Sequence, residues 1–514
     1  MSNSLKHRAL AAALLLFAPA HCLATTFISF DARTLAMGGV GVATGRPANA
    51  ALFNPSLLAQ THTEHLDGTF AHLYLGARLI DRDDFLSRVD QFQDNYSEDK
   101  LDALLLSARA AFQDGQLDAH QLRTLASEGE GLVSAIEGLS NRPIRAAAAA
   151  GFSVGHTADG WGAGLFVRHY AILGGQFELA DIDLLRMQQL VAITRASADV
   201  IEFGERSQAL IAAIDYQRIE TLIRQSIQDG RLNSELLSYQ DIPGVAELIN
   251  AFEATEPSLQ VLLPFIDLDG LTQALRAQNQ GVPLEQLGLG DIDLRDYLRY
   301  QAPETFESEV LVSGAEIQET ALGGAWQLYP DQLTLGVNLK QLDITLIDFS
   351  APVAQIEFED YQLAKNQTNY IRPNLDIGME WVLNDRWNLG AVVRNVVPFT
   401  LTSRLGTKRT FRPIARAGLG YRGDHFNVGI DVDLTTNEPL GFDPKKQYIG
   451  VGVEYYLWQQ TAVRAGYRIN RYDHSQLPSL GLGIGFDQGH LDFAVARSER
   501  FDEYGVSIQL GMHF

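Results

Sequence analysis

Gly151-Phe152-Ser153-Val154-Gly155 has the spacing of a nucleophile elbow, in which a serine is exposed on a strand-to-helix turn for acyl transfer. A turn at 156–160 and another strand pattern follow, so Ser153 reads as a small strand residue. Gly39-Val40-Gly41 lacks both the dinucleotide-binding spacing and a following Lys-Ser/Thr, which argues strongly against a phosphate loop. Asp267-Leu268-Asp269-Gly270 resembles part of a calcium loop. With Gly270 as the sixth residue, however, Phe265 and Arg276 fall where carboxylates are needed, and a solvated turn is the better reading. The 12 histidines show no HExxH-type pairing. The remaining candidates are Asp376, Glu380, Arg394, Asp431, Asp433, Glu454, Arg464 and Arg468, which sit between apolar residues on strand-like runs. By parity they share the face opposite the apolar one. They would fill and hydrate a lumen as ion pairs, or form a constriction that selects solutes by charge. Both signs are present, so no selectivity follows. Neither an enzymatic activity nor a cofactor or metal is expected.

The elements that must carry these charges are two-faced strands. In the last eleven residues Tyr504, Val506, Ile508, Leu510, Met512 and Phe514 alternate with Gly505, Ser507, Gln509, Gly511 and His513. Such alternation puts the apolar set on one sheet face. It recurs at 333–339, 375–381, 387–393, 415–421, 426–434, 449–457, 463–469, 480–486 and 491–495. Tight turns at Asn384-Asp385, Gly423-Asp424, Gln459-Gln460 and Gln488-Gly489 alternate with longer polar loops such as 435–446 and 470–478. Short turns at one end, long loops at the other and an apolar outer face describe an outer-membrane barrel, since only a closed barrel satisfies strand backbones in hydrocarbon. A soluble periplasmic β-protein is the alternative. Trp381, Trp387, Tyr421, Tyr455 and Trp458 stand near strand ends, as an interfacial girdle would.

The first half is less regular. Residues 66–80, 144–155, 161–173, 190–203 and 308–328 read as strands, with helical insertions at 83–140 and 206–300. The total is fifteen candidates, an odd number for a barrel with both ends in the periplasm, and 176–183 and 353–363 are the candidate missed strands.

Composition agrees with an exported barrel. The 514 residues carry a net charge of −23, with 46% hydrophobic and 20% charged residues, against both disorder and nucleic-acid wrapping. One cysteine allows no internal disulfide. Lys6, His7 and Arg8 precede an apolar run from Ala9 to Ala20, the pattern of a signal peptide over 1–24 with cleavage before Thr25. His21 and Pro19 disfavour a lipid anchor on Cys22.

Residues 31–59 read DARTLAMGGVGVATGRPANAALFNPSLLA. Gly38, Gly39 and Gly41 imply tight backbone packing, and Asn54-Pro55 a turn before the first strand. The segment resembles the opening of the FadL-type outer-membrane proteins, which carry an Asn-Pro-Ala signature; Ser56 departs from it. The Asp-Ala-Arg start and Met-Gly-Gly run resemble more closely the conjugal-transfer TraF-like barrels. The resemblance implies a monomeric 14-stranded barrel, plugged by the N-terminal segment and admitting hydrophobic molecules, and the subfamily name implies a part in plasmid transfer. A terminal Phe514 on an alternating strand with Tyr504 and Leu510 resembles the signal read by the barrel-assembly machinery.

The expectation is therefore an all-β transmembrane barrel of about 14–16 antiparallel strands at 66–514, with a plug at 25–65 and two helical insertions. The expected location is the Gram-negative outer membrane, with lipids, the assembly machinery and a hydrophobic small molecule or conjugation components as partners. The alternative function is surface binding or adhesion through 206–300.

Overall fold

The computed structural model describes residues 30–59, 68–110, 118–212, 214, 217, 220, 221, 224, 244–267, 269, 270, 273, 306–353, 366–437, 440–442, 445–458, 460–498 and 502–514. The signal segment 1–24 and most of 353–363 lie outside them. The chain divides into two compact units, residues 1–86, 141–178 and 309–514, and residues 87–140 and 179–308.

The first unit is a closed antiparallel barrel of fourteen strands. They are β1 (Gly68–Ile80), β2 (Ile144–Ala158), β3 (Trp161–Glu178), β4 (Glu309–Tyr329), β5 (Leu333–Pro352), β6 (Gln367–Asn384) and β7 (Trp387–Arg394). A separate two-stranded hairpin, β8 (Phe399–Thr402) and β9 (Lys408–Phe411), interrupts the series. The barrel resumes with β10 (Ile414–Arg422), β11 (Phe426–Asp433), β12 (Tyr448–Trp458), β13 (Thr461–Asn470), β14 (Gln476–Phe486), β15 (Gly489–Arg497) and β16 (Glu503–His513). Pairing of β1 with β16, from Phe70 opposite His513 to Ile80 opposite Glu503, closes the ring. Closure removes the unpaired edges that hydrocarbon would not tolerate.

Alternation decides which face each residue takes. Leu480, Leu482, Val495 and Val506 are exposed on the outside, while Ser479, Asp492, Ser507 and Gln509 are buried within. Trp161 and Trp326 pair at the same barrel end as Trp381, Trp387, Tyr455 and Trp458, giving that end an aromatic rim.

One strand reading is overturned. Residues 190–203 belong to the helix Asp181–Ala212, whose buried residues Ile193, Ala196, Ser197 and Val200 recur at three- and four-residue steps. The odd total thus came from one strand too many. Segment 176–183 is divided between the end of β3 and the start of that helix. The helical insertion expected at 206–300 begins earlier, and its compact unit covers 179–308.

The second unit is helical. Helix Ala119–Leu139 begins in a capping box, where the Gln121 amide donates to Asp118 Oδ1 (2.8 Å) and the Asp118 amide donates to Gln121 Oε1 (3.1 Å). Asp183, in the first turn of Asp181–Ala212, accepts from the Glu307 and Ser308 amides (both 2.7 Å) and from Ser308 Oγ (2.6 Å), tying the two ends of the 179–308 insertion together. Among the described residues no helix is long and apolar enough to cross a membrane.

Candidate functional site: a plugged lumen

The segment from Phe30 to Ala59 lies inside the barrel. A short helix, Ala32–Ala36, is capped by Asp31, which accepts from the Thr34 amide (3.1 Å) and from Asn49 Nδ2 (2.9 Å). Gly38 (φ 69°) and Gly39 (φ 84°) then turn the chain through the left-handed region. A side chain at Gly38 would stand 2.7 Å from the Tyr467 amide nitrogen and 2.8 Å from the Val451 carbonyl oxygen. The wall supplies the matching absence of side chains. A Cβ added at Gly76, Gly390 or Gly450 would lie 2.5 Å from the carbonyl of Phe30, Val42 or Gly38, respectively. The inward-facing glycines of the strands are thus the seat of the plug.

Polar contacts fasten it. Arg33 Nη2 meets Glu454 at 2.7 Å, and Arg464 meets the same carboxylate at 2.7 Å and Asp492 at 2.7 Å. Asp431 accepts from the Gly41 (2.9 Å) and Val42 (3.0 Å) amides. Arg416 pairs with Asp433 (2.6 Å) and donates to the Gly39 carbonyl (3.2 Å). Asn54 donates to the Val42 (2.9 Å) and Met379 (3.0 Å) carbonyls, while its own oxygen accepts from the Ser56 amide and hydroxyl, the latter at 2.7 Å. Serine at the position where the FadL-type signature has alanine therefore adds a hydrogen bond. Pro55 lies against Gly336. Asn388 joins Glu380 (2.7 Å) to the Ala43 carbonyl (2.6 Å), and Arg394 donates to the Leu52 carbonyl (3.2 Å).

All eight charges named from the sequence are buried on the inner face. Arg394 also meets Glu319 (3.4 Å) and Asp376 (3.7 Å), and Arg468 meets Glu503 (3.1 Å) and lies over the Tyr448 ring (4.4 Å). Sequence reading missed their partners and the groups beyond them: Arg33, Arg78, Arg168, Glu319, Lys340, Arg416, Asp492 and Glu503. Glu319 collects Arg168 (2.7 Å) and Lys340 (3.6 Å), Lys340 reaches Asp376 (2.7 Å), and Arg78 reaches Glu503 (2.6 Å). Asp492 stands between Leu491 and Phe493 on an alternating run, a signal that was there to be used. Burying charge is tolerable when it is paired or hydrogen-bonded: the other groups have an opposite partner, while Asp431 accepts from the Gly41 and Val42 amides and Glu380 from Asn388.

Tyr504 and Leu510 face outward on β16. Phe514 exchanges backbone hydrogen bonds with Thr69 (2.9 and 3.2 Å) at the seam of the barrel. Ser153 lies within β2 and donates to the Ala48 carbonyl of the plug (2.8 Å), not on a strand-to-helix turn. Asp267 accepts from the Gly270 amide (3.2 Å), a local turn. Among the described residues no group of three or more His, Cys, Asp or Glu could hold a metal.

Above the charged layer the inner wall changes character. Tyr74, Tyr170, Ile172, Ile317, Leu342, Ile344 and Leu346 form one buried apolar cluster with Leu401 and Phe411 of the β8–β9 hairpin and with Leu440. On β5 the apolar residues exchange faces. Leu339 is outward and 63% exposed, whereas Leu342, Ile344 and Leu346 point inward and Gln341 and Asp343 outward. Below it, a cavity of about 10 Å³, no larger than one water needs, is lined by Ala48, Leu52, Tyr74, Phe166, Arg168 and Glu319.

The model of the family described as "F plasmid transfer operon, TraF, protein" matches residues 51–433, three quarters of the chain. The chain belongs to this TraF family. The match leaves out the plug up to Ala50 and the last five barrel strands. No curated protein matches the chain. Among solved structures, two shortened variants of the monoaromatic hydrocarbon channel TodX are 12% identical. The one lacking S2 and S3 covers 95% of this chain and 99% of its own (TM-score 0.39), and the one lacking S2 covers 94% and 99% (TM-score 0.40). The Pseudomonas putida toluene transporter TodX is 11% identical over 95% of this chain and 98% of that one (TM-score 0.29). The barrel assignment rests on the strand pairing itself.

Proposed function

We propose that this TraF-family chain is an outer-membrane barrel that receives a hydrophobic small molecule at the loop end of its lumen, above an N-terminal plug. The carrying observation is the apolar inner wall. The lumen of a membrane barrel is ordinarily polar, yet Leu342, Ile344, Leu346, Ile317 and Ile172 line this one and are covered by Leu401 and Phe411. The cover is a hairpin of two four-residue strands paired only with each other. A two-stranded hairpin is marginal on its own in water, so what an apolar guest would have to break is its hold on the wall: Arg409 with Ser313 Oγ (3.0 Å) and Asp348 (3.8 Å), and the Thr402 carbonyl with the Tyr370 hydroxyl (2.7 Å). The two insertions and the hairpin leave the barrel at the end opposite Gly68 and Phe514, which is the outer side if both chain ends lie in the periplasm.

The test is binding of a radiolabelled long-chain fatty acid to the purified, refolded barrel, with a version lacking residues 25–60 and an Ile344→Asp variant alongside. Saturable binding that Ile344→Asp abolishes supports the proposal; no binding in any form, or binding indifferent to Ile344→Asp, refutes it. A place in plasmid transfer, with conjugation components as partners, rests on the family description. Unchanged transfer frequency from a strain lacking the gene would remove it.

A further inference from the structure

Negative charge is concentrated in the helical unit. Residues 87–140 and 179–308 contain 31 acidic and 13 basic side chains, a net −18 of the chain's −23. Within this unit, helices Ala119–Leu139 and Val245–Leu262 both pack on helix Asp181–Ala212 and leave a groove of about 490 Å³ between them. The floor is a single stripe of the central helix: Gln188, Val191, Ala192, Arg195, Ala196 and Asp199 recur at three- and four-residue steps. At 1.5 Å per residue the stripe is about 16 Å long, three helical turns. Its middle is small, with Ala192 exposed and Ala196 buried, which allows another helix to approach closely. Val133 forms one wall and Pro257 and Val261 the other. Glu130 and Glu137 stand on the first wall; Glu130 pairs with Arg195 at 2.6 Å, and Glu137 is exposed.

We propose that this groove receives a basic amphipathic α-helix of a partner protein, which completes a four-helix bundle. Its apolar stripe would cover Val133, Val191, Ala192 and Val261, and its Lys and Arg side chains would face Glu137 and the surrounding acidic surface. A small hydrophobic molecule fits the groove less well, because much of the lining is polar and the groove is open along its length. This inference is independent of the reading of the lumen.

The experiment uses the full refolded chain in a neutral detergent and a fluorescein-labelled Leu/Lys amphipathic peptide of about 14 residues, nearly four turns. Its Leu/Glu counterpart and protein-free micelles serve as controls, and anisotropy is read at physiological salt. The Lys peptide should saturate and the Glu peptide should not. Ala192→Trp, which fills the floor, should weaken binding at least about tenfold, and Glu137→Lys, on an exposed rim position, several-fold, while Asp102→Lys on helix Glu98–Arg109 should leave it within about twofold. Retained far-ultraviolet circular dichroism shows that each variant is folded. Absent binding, equal weakening by Asp102→Lys, or full binding by both groove variants would overturn the proposal.

Discussion

Replacing Glu454 by Gln tests what holds the plug. The carboxylate is wholly buried between Arg33, itself 3% exposed at the side chain, and Arg464. Neutralising it leaves Arg33 with neutral acceptors, the Thr44 carbonyl (2.7 Å) and one amide oxygen, in place of a carboxylate, whereas Arg464 keeps Asp492. Removing one partner of a buried ion pair costs about 3–5 kcal/mol. Because the amide oxygen still accepts a hydrogen bond and Asp492 retains Arg464, the low end applies, about 3 kcal/mol, borne by the plug-to-wall contact. At 1.4 kcal/mol per decade, the released form should gain about a hundredfold in population. Single-channel conductance of the refolded protein in planar bilayers reads this as open fraction. Glu503→Gln is the matched control, because Glu503 pairs with Arg78, Arg82 and Arg468 and, among the described residues, with none of the plug. It should lower the thermal midpoint without opening the channel. Equal conductance in the two variants would refute the assignment of Arg33 and Glu454 as the fastening of the plug.

Gly450→Val should displace the plug while the sheet still forms, because a Cβ there would lie 2.5 Å from the Gly38 carbonyl oxygen; protease cleavage within 30–59 should appear in the folded variant. Burial would raise the Asp183 carboxyl, but the hydrogen bonds from Ser308, the Glu307 amide and Arg186 outweigh this and hold its pKa below the usual carboxylate range. Its stabilisation is therefore complete above about pH 4, the unfolded value, and fades as pH falls through the lower folded value. In an acid titration followed at 222 nm, Asp183→Asn should lose helix already at neutral pH and lack the acid-dependent component of the wild type. Phe514→Ala should reduce the yield of heat-modifiable barrel in cells more than it changes the melting of the fraction that assembles, as a recognition signal requires. An equal effect on both would assign Phe514 to the Thr69 seam alone.

The strands were legible because each presents apolar residues to lipid at every second position, a constraint that lies in the chain itself. The failure at 190–203 has the same root. Ile193, Ala196 and Val200 satisfy a helical stripe, but in a short Ala- and Val-rich window apolar residues fit either period, and only the helix's continuation back to Asp181 decides it. The inner charges were legible by parity, their partners only in part. Glu454 is on a strand, but Arg33 comes from more than four hundred residues away in a segment read as a glycine motif. Glycine in the strands was visible; that Gly76, Gly336, Gly390 and Gly450 are among the places where another backbone touches the wall required the plug to be seated.

The exchange of faces on β5 bears on how a guest would arrive. Up to Leu339 the outward residues are apolar; beyond it Gln341, Asp343 and Thr345 face out, opposite Thr320, Gln318 and Glu316 of β4. On β3 the neighbouring outward residue His169 meets Glu316 at 3.1 Å. Three adjacent strands thus lose their apolar exterior at one level, where unpaired polar groups would be costly in hydrocarbon. Ile317 and Ile344, paired between Gln318/Asp343 and Glu316/Thr345, line the lumen at that same level, with Leu346 just beyond them. Under the proposed uptake role, the apolar chamber is reached from the loop side without crossing the barrel wall. Displacement of Leu401 and Phe411 then precedes any movement of the plug, and Leu401→Lys should accelerate ligand entry in stopped-flow measurements without raising conductance. Conductance that rises together with entry would mean that hairpin and plug move as one, and the two-step order would fall.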